Sequence, residues 1–425
     1  LHMGERMSRA FVVGAGLAGL SAALRLADHG VETTVLEASP HLGGRCRSYQ
    51  DPALDLLLDN GTHALTVANP VALALLDRLG LRARWQPSVH GLVELADLAE
   101  GRMVELRPGL AAFGLRLRHI LGLLGRDRPV AALFDKASPI YRELVEPLTV
   151  AVLNTPAEEA STRLLRRILR EAWRGPKALV PLVAERGLGP DLVEPLGDEI
   201  RRCGGTIETG AHVQALNRTE TAVSALDLGG RSIALDREDI VILAVPPAEA
   251  ERLTGQSFGF AHSPIVNAHF VLDRAPAPVP RMVGVIGAAA QWILLRGRVA
   301  SVTVSAADAL VDRPAREVAE RLWPEVRAAL GLLGLAASEA QPAYRIVKER
   351  RATIRQTPGL RRPGPDTPWR NLRLAGDWTD TGLPATIEGA LRSGRTAADA
   401  ALRMVKIAAA REPVSRRNVG DVHAS

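Results

Sequence analysis

Two groups of residues at opposite ends of this 425-residue chain have the types and spacing to hold a dinucleotide. Near the start, Gly14-Ala15-Gly16-Leu17-Ala18-Gly19 is spaced as a pyrophosphate cradle. Gly14 permits a tight turn, Gly16 lets the backbone approach phosphate oxygens, and Gly19 lets the next helix pack on the preceding strand. The amides of Leu17 and Ala18 open that helix, where the dipole favours negative charge. Glu37, roughly twenty residues beyond the glycines, can accept hydrogen bonds from a ribose. In the glycine pair that follows, Gly44 precedes Arg45, which either reaches phosphate oxygens left open by the helix or is a solvated surface arginine.

More than 350 residues later come Leu374-Ala375-Gly376-Asp377-Trp378 and Gly382-Leu383-Pro384-Ala385-Thr386-Ile387-Glu388-Gly389. Gly376 allows close approach and Asp377 can accept a ribityl hydroxyl. A helix beginning near Ala385 or Thr386, with Ile387 in its first turn, would aim free amides at the flavin N1 and C2 carbonyl, where the reduced ring carries negative charge. Together the two groups predict FAD held by both ends of one chain.

Positioning these residues requires particular elements. Arg9-Ala10-Phe11-Val12-Val13 is a short apolar run, as in a buried parallel strand, and it stops at the first glycine. Leu17 to Asp28 carries Leu20, Ala23, Leu24 and Ala27 at helical spacing, and Glu32 to Leu36 forms a second strand that ends in Glu37. Strand, glycines, helix, strand and acid in that order outweigh an ordinary glycine-rich turn. Farther on, a helix over Leu192 to Cys203 ends at Gly204-Gly205. A strand pair follows, Thr206 to Glu208 and Val213 to Leu216, with Val213 among the candidate cofactor contacts. Asp239 to Val245 reads as another buried strand, stopped by Pro246-Pro247, and these pieces complete the nucleotide sheet.

After Pro264 the pattern alternates, as in Ile265 to Leu272, Gln291 to Leu294 and Val299 to Val304, which suits an antiparallel wall of a substrate chamber. Residues from Leu110 to about Leu188 read mostly helical, for example Thr162 to Trp173, and Gln356 to Trp369 reads as a returning loop. The expected fold class is α/β: a Rossmann-like FAD-binding domain built from discontinuous segments, plus an α+β substrate domain with a mixed or antiparallel sheet and a helical part. The FAD-binding segments are 7–65, 191–255 and 353–410, the substrate segments are 66–190 and 256–352, and 411–425 is a flexible tail.

Composition narrows the function classes. A hydrophobic content of 47% is globular, and no apolar run reaches the length of a membrane span. The net charge is +6, but aromatics are only 4% and the arginines are scattered, which argues against nucleic acid binding. The basic segment 109–128 places Leu110, Phe113, Leu117, Ile120, Leu121 and Leu124 near one side, with Arg116, Arg118, His119, Arg126 and Arg128 available to face anionic headgroups. It is either a peripheral membrane contact or an amphipathic helix packed on its own protein. Two cysteines, Cys46 and Cys203, imply a reduced compartment, and the lack of clustered His and Cys argues against a structural metal. No secretory signal is visible, so a cytoplasmic location is expected, peripheral at the inner membrane face if that helix touches lipid.

Taken together, GAGLAGL, GGRCRS, the Pro-stopped AVPP strand and LAGDW with its following helix resemble the FAD-dependent amine oxidase and carotenoid desaturase superfamily. Its squalene-associated branch, the hydroxysqualene dehydroxylases, is resembled by further strings: Ser48 to Leu54, Asp59 to His63, Asn154 to Ser161, Ile265 to Phe270, Lys348 to Thr353 and Gly382 to Ala390. The resemblance runs from about Arg9 to Ala400. It implies a step of squalene and hopanoid synthesis in which a C30 allylic alcohol loses its hydroxyl and gains a hydride from reduced flavin N5. Hydroxide leaves poorly, so an acid must protonate it. The resemblance also implies an apolar tunnel for an isoprenoid, an electron donor of unspecified kind, and association with squalene-pathway prenyl synthases.

Three residues are candidate acids. His63 follows the second nucleotide segment and lies near the flavin if the superfamily layout holds; otherwise it hydrogen-bonds backbone only. Lys348 resembles in position a lysine that many members place near N5; the alternative is a surface ion pair. Asp59 is a proton donor if burial raises its pKa, or an acid capping the turn at Asn60-Gly61. Asn267 and His269 share one strand face and read as satisfied structural groups. Other activities on the same scaffold are a carotenoid or squalene desaturase running in the opposite redox direction and an amine oxidase, for which only Trp378 is placed as a flanking aromatic. A noncatalytic flavin-bound partner of a prenyl synthase is the alternative from another class.

Overall fold

The computed structural model describes residues 8–88, 93–106, 117–172, 180–276 and 278–411. The first stretch forms β1 (Arg9–Val13), α1 (Leu17–Ala27), β2 (Glu32–Glu37), β3 (Ser48–Asp51), β4 (Leu56–Asp59) and α2 (Pro70–Arg78). Then come β5 (Trp85–Pro87), β6 (Val93–Asp97), β7 (Arg102–Leu106), α3 (Leu117–Leu124), α4 (Glu146–Leu153), α5 (Thr162–Ala172) and β8 (Leu182–Ala184). The middle holds α6 (Glu194–Arg202), β9 (Thr206–Thr209), β10 (Ala215–Arg218), β11 (Val223–Asp227), β12 (Ser232–Ala234), β13 (Ile240–Leu243) and α7 (Pro247–Thr254). The last part comprises β14 (His262–Val271), β15 (Arg281–Ile286), β16 (Trp292–Arg296), β17 (Val299–Ser305), α8 (Ala315–Leu332), β18 (Tyr344–Ile354), β19 (Leu372–Leu374) and α9 (Ile387–Arg411).

A parallel sheet of order β19-β13-β1-β2-β9 gathers strands from both ends of the chain. Alternation along β1 explains how it is covered: Ala10 and Val12 enter a core shared with α1 and α9, while Phe11 and Val13 enter one shared with the β10-β11-β12 sheet and α7. Both faces are apolar because both are roofed. Val13 is in register with Leu36 and Leu243, and Leu243 with Leu374, so the segments after these strands all leave one edge. Ligands bind at such carboxyl edges of open α/β sheets.

The second sheet, β18-β14-β17-β16-β15-β6-β7, is antiparallel except where β15 pairs with β6. Val266, Ala268 and Phe270 of β14 pack with Val318, Leu322 and Trp323 of α8, and Asn267 and His269 face the other way. A fourth core joins α3, α4 and α5 through Leu123, Leu153, Leu164 and Leu165.

One expectation changes. Val213 to Leu216 is not a strand of the nucleotide sheet: Val213 lies in coil, and β10 begins at Ala215 and pairs antiparallel with β11. A short local hairpin outcompetes a distant parallel partner. Strands β6 and β7, from the early part of the chain, extend the second sheet. The tail beyond residue 411, expected to be flexible, the end of the helix read to Trp173 and residues 109–116 of the basic segment lie outside the described residues. Among the described residues no helix is long and apolar enough to cross a membrane.

Candidate active site

At the shared strand edge the glycine turn is sterically determined. Gly14 has φ +101°, and a Cβ there would lie 2.7 Å from the Ala244 carbonyl oxygen. A Cβ on Gly19 would fall 1.9 Å from the Gly14 oxygen, so α1 can start this close to β1 only with glycine at that position. A Cβ on Gly16 would instead project into open space at the α1 N-terminus, where the first amides have no intrahelical acceptors. No acidic side chain occupies this first turn. An open backbone cradle with unshielded positive dipole fits a pyrophosphate.

Around it, the Gly43 amide donates to the Ala15 carbonyl at 2.8 Å, bringing Gly44 against Gly16. Glu37 accepts from the Ala15 amide at 2.6 Å and from the Ser39 amide at 2.8 Å, so this carboxylate also pins the turn. From the other end of the chain, the Gly376 amide donates to Ser393 Oγ at 2.9 Å, and Thr386 Oγ1 accepts from the Gly389 amide at 3.2 Å, capping α9. Ile387 buries its side chain in the α1 core, leaving its backbone at the helix start. Val213 is buried, and its carbonyl accepts from Arg252 at 3.4 Å.

Two of the candidate cofactor residues meet: Arg45 Nη2 donates to Asp377 Oδ1 at 2.7 Å, and its Nη1 to the Ala352 carbonyl. Burial disfavours the guanidinium charge, but the Asp377 carboxylate more than offsets this and holds Arg45 above its ordinary pKa.

The three candidate acids separate. The His63 ring nitrogen Nδ1 lies 3.0 Å from the Gly61 carbonyl, and the side chain neighbours Cys46, which belongs to the turn next to Gly44. Burial opposes protonation, yet the Cys46 sulfur, the Gly61 carbonyl and Asp59 outweigh it, raising the imidazole to about 9. Thr62 Oγ1, beside it, is buried without a hydrogen bond to any described residue. Asp59 is an acceptor on all sides: Ser48 Oγ at 2.5 Å, the Leu188 amide at 3.0 Å and Arg296 Nη2 at 2.7 Å. Its reading as a proton donor is corrected, because its oxygens are taken up by a guanidinium and two further donors.

Lys348 is also corrected. It pairs with Val266 on β18, so parity sends its side chain to the α8 face, where Nζ donates to the Arg313 carbonyl. Its neighbour Glu349 acts on Arg45 electrostatically. The site face of β14 is polar: Asn267 Nδ2 donates to the Asn60 carbonyl at 3.3 Å and Thr303 Oγ1 donates to Asn267 Oδ1 at 2.8 Å, while His269 Nε2, expected to be satisfied, is buried without a hydrogen bond to any described residue. His269 contacts Ser301 Oγ at 2.8 Å, and burial depresses it to about 4.

Sequence reasoning missed several supporting residues. Gln356 is fully buried, donating to the Leu153 carbonyl at 2.8 Å and accepting from the Ala385 amide at 3.1 Å, which ties the helical region to the start of α9. Glu388 accepts from the Val71 and Ala72 amides at 3.2 and 3.0 Å and so caps α2 from another element. Neither role leaves a local pattern. Cys46 did have a signal, its place inside the glycine-arginine string. Trp378 is not a flanking aromatic: its indole is buried against Phe258 and donates to the Val245 carbonyl at 3.0 Å.

The family described as flavin containing amine oxidoreductase matches residues 17–114 and 191–402. A hydroxysqualene dehydroxylase of Rhodopseudomonas palustris is 39% identical, over 92% of this chain and 97% of that protein. Another, from Zymomonas mobilis, is 33% identical over 93% and 99%. Among solved structures, cyclohexylamine oxidase from Brevibacterium oxydans superposes with a TM-score of 0.66 over 94% of this chain and all of that one, at 17% identity. An oxidoreductase from Methanosarcina mazei gives 0.67 over 91% and 98%, at 16% identity. At those identities the likeness is one of fold.

Proposed function

The chain belongs to the flavin-containing amine oxidoreductase family and, within it, to the hydroxysqualene dehydroxylases, a flavin-dependent oxidoreductase lineage, and on that premise we propose that it reductively dehydroxylates hydroxysqualene to squalene. One observation supports this reading most: the identity extends over nearly the full length of both chains, so it takes in the substrate-side segments as well as the nucleotide motifs. The place of the reaction in hopanoid synthesis belongs to the same proposal.

FAD is the cofactor of this proposal: the Leu17 and Ala18 amides would hold its pyrophosphate, Glu37 a ribose, and the α9 start at Thr386 and Ile387 would serve the ring. When bound in its reduced form, FAD supplies the hydride that replaces the hydroxyl at the allylic carbon. The chain supplies the rest. The C–O bond breaks as the departing oxygen takes a proton and leaves as water, which requires an acid held protonated at neutral pH. His63 meets that requirement, since its pKa is raised to about 9 and its Nδ1 is fixed on the Gly61 carbonyl. Asp59, locked to Arg296, contributes negative charge that favours the imidazolium.

The test is an anaerobic single turnover. Reduced protein mixed with detergent-dispersed hydroxysqualene should yield stoichiometric squalene, identified by mass, with loss of the reduced-flavin spectrum. If the flavin stays reduced and the alcohol persists although binding is verified, the proposal fails. Visible-absorbing polyene from oxidised protein and a C30 or C40 precursor would then identify a desaturase. Peroxide from simple amines would identify an amine oxidase, a reading that loses its sequence support with Trp378 buried in the core.

A further inference from the structure

Short helix α3 leaves Leu121 and Leu124 58% and 63% exposed. Leu123, on its other side, is buried against Leu164 and Leu165 of α5, and Arg166 of α5 donates to the Leu123 carbonyl at 3.1 Å. α5 is strongly amphipathic. It buries Leu164 and Leu165 and exposes Arg163, Arg167 and Arg170 at the i, i+4, i+7 spacing of a single face. Exposed Arg126 follows α3 directly. Among the described residues, Asp127 at this junction is engaged by the Ser161 hydroxyl, by the Arg163 and Gly359 amides and by the Arg163 guanidinium at 3.8 Å, and exposed Asp380 lies two residues from Gly382. Two protruding leucines therefore stand beside a row of arginines on the neighbouring helix. The basic face that sequence placed on the leucine helix itself is supplied in good part by α5.

The surface also adjoins the site. The Arg167 guanidinium lies 3.5 Å from where a Cβ on Gly382 would sit, on the segment that leads to Thr386 and α9.

We propose that Leu121 and Leu124, flanked by Arg126, Arg167 and Arg170, form a seat for an anionic lipid bilayer, the leucines entering the headgroup boundary and the arginines meeting lipid phosphates. Exposed apolar side chains beside clustered arginines match that interface in both hydrophobicity and charge. The docking is peripheral, since no described helix can cross a membrane. It rests on the hydroxysqualene reading for its purpose: a C30 alcohol partitions into lipid, and docking next to the Gly382 segment brings the site to it.

The experiment is co-sedimentation of the flavin-loaded protein with vesicles of phosphatidylcholine alone or mixed with phosphatidylglycerol, with no isoprenoid present. Binding to the mixed vesicles is expected, weakening as salt rises. Leu121→Glu/Leu124→Glu should weaken it at least about tenfold, and Arg167→Gln/Arg170→Gln by roughly ten- to thirtyfold. Retained flavin and unchanged turnover of detergent-dispersed substrate show that each variant is folded. Absence of binding, or binding that neither pair of changes weakens, overturns the proposal. Loss with the arginine changes but not the leucine changes also overturns it, because the contact is then electrostatic adsorption without insertion of the leucines. Because vesicle binding and detergent turnover are read separately, failure of one does not entail failure of the other.

Discussion

Arg45 and Asp377, 332 positions apart, meet as an ion pair at 2.7 Å where the two halves of the cofactor site converge. Asp377 is almost completely enclosed, and the guanidinium also holds the Ala352 carbonyl of β18, so one side chain joins three distant segments. Removing Arg45 strands the enclosed Asp377 carboxylate, whereas removing the carboxylate leaves a guanidinium that is partly solvated. Asp377→Asn and Arg45→Ala should each cost about 1–3 kcal/mol of stability, and the double variant less than the sum. Thermal unfolding of the four proteins in a double-mutant cycle measures the coupling; strict additivity would show the pair to be energetically idle.

His63 should impose an alkaline limit. Its folded pKa is raised above the ordinary imidazole value of about 6.5, so the stability its charge contributes is fully present below about 6.5 and is lost as pH rises through about 9. Turnover should fall across the same upper range. Cys46→Ala removes a neighbour that favours the imidazolium, so the limb should move to lower pH, and His63→Asn should abolish it. A pH–rate profile of the three proteins, with unfolding midpoints at each pH, decides this.

His269 has the opposite sign. Held neutral near 4 inside the fold, it protonates readily only when unfolded, so stability is full above about 6.5 and is lost as pH falls toward 4. The loss should approach about 3 kcal/mol over that window. Urea unfolding of wild type and His269→Gln between pH 4 and 7 should show a flatter pH dependence for the variant; parallel curves would mean that His269 takes up no extra proton on unfolding.

Gly394 of α9 touches α1 more closely than any side chain permits, since a Cβ there would lie 2.0 Å from the Ala18 carbonyl oxygen. Ala18 stands in the first turn of α1, the helix proposed to face the pyrophosphate. Gly394→Ala should therefore push the helices apart, destabilise the protein by roughly 1–3 kcal/mol and lower flavin retention. Calorimetry and the flavin-to-protein absorbance ratio measure both; wild-type values would show that the two helices can separate without consequence.

Lys348 should be dispensable for the chemistry. With Nζ on the Arg313 carbonyl and the sheet between it and His63, Lys348→Ala should leave kcat within about twofold. A loss of a hundredfold or more in single turnover would require the side chain to act on the site face after all.

Local patterns in the sequence determined much of this protein. The glycine spacing, the strand stopped at Gly14, Glu37, the strand ended by two prolines and the helix starting after Thr386 are all set by backbone sterics or short-range periodicity, which need no knowledge of neighbours. Tertiary structure decided which side chains meet. Parity against β14 turned Lys348 away, Arg296 converted Asp59 into a bound carboxylate, Cys46 came to stand beside His63, and β10 left the parallel sheet for a local hairpin. Each outcome depends on a partner tens to hundreds of residues away, and a face or an ion pair exists only once packing has chosen that partner.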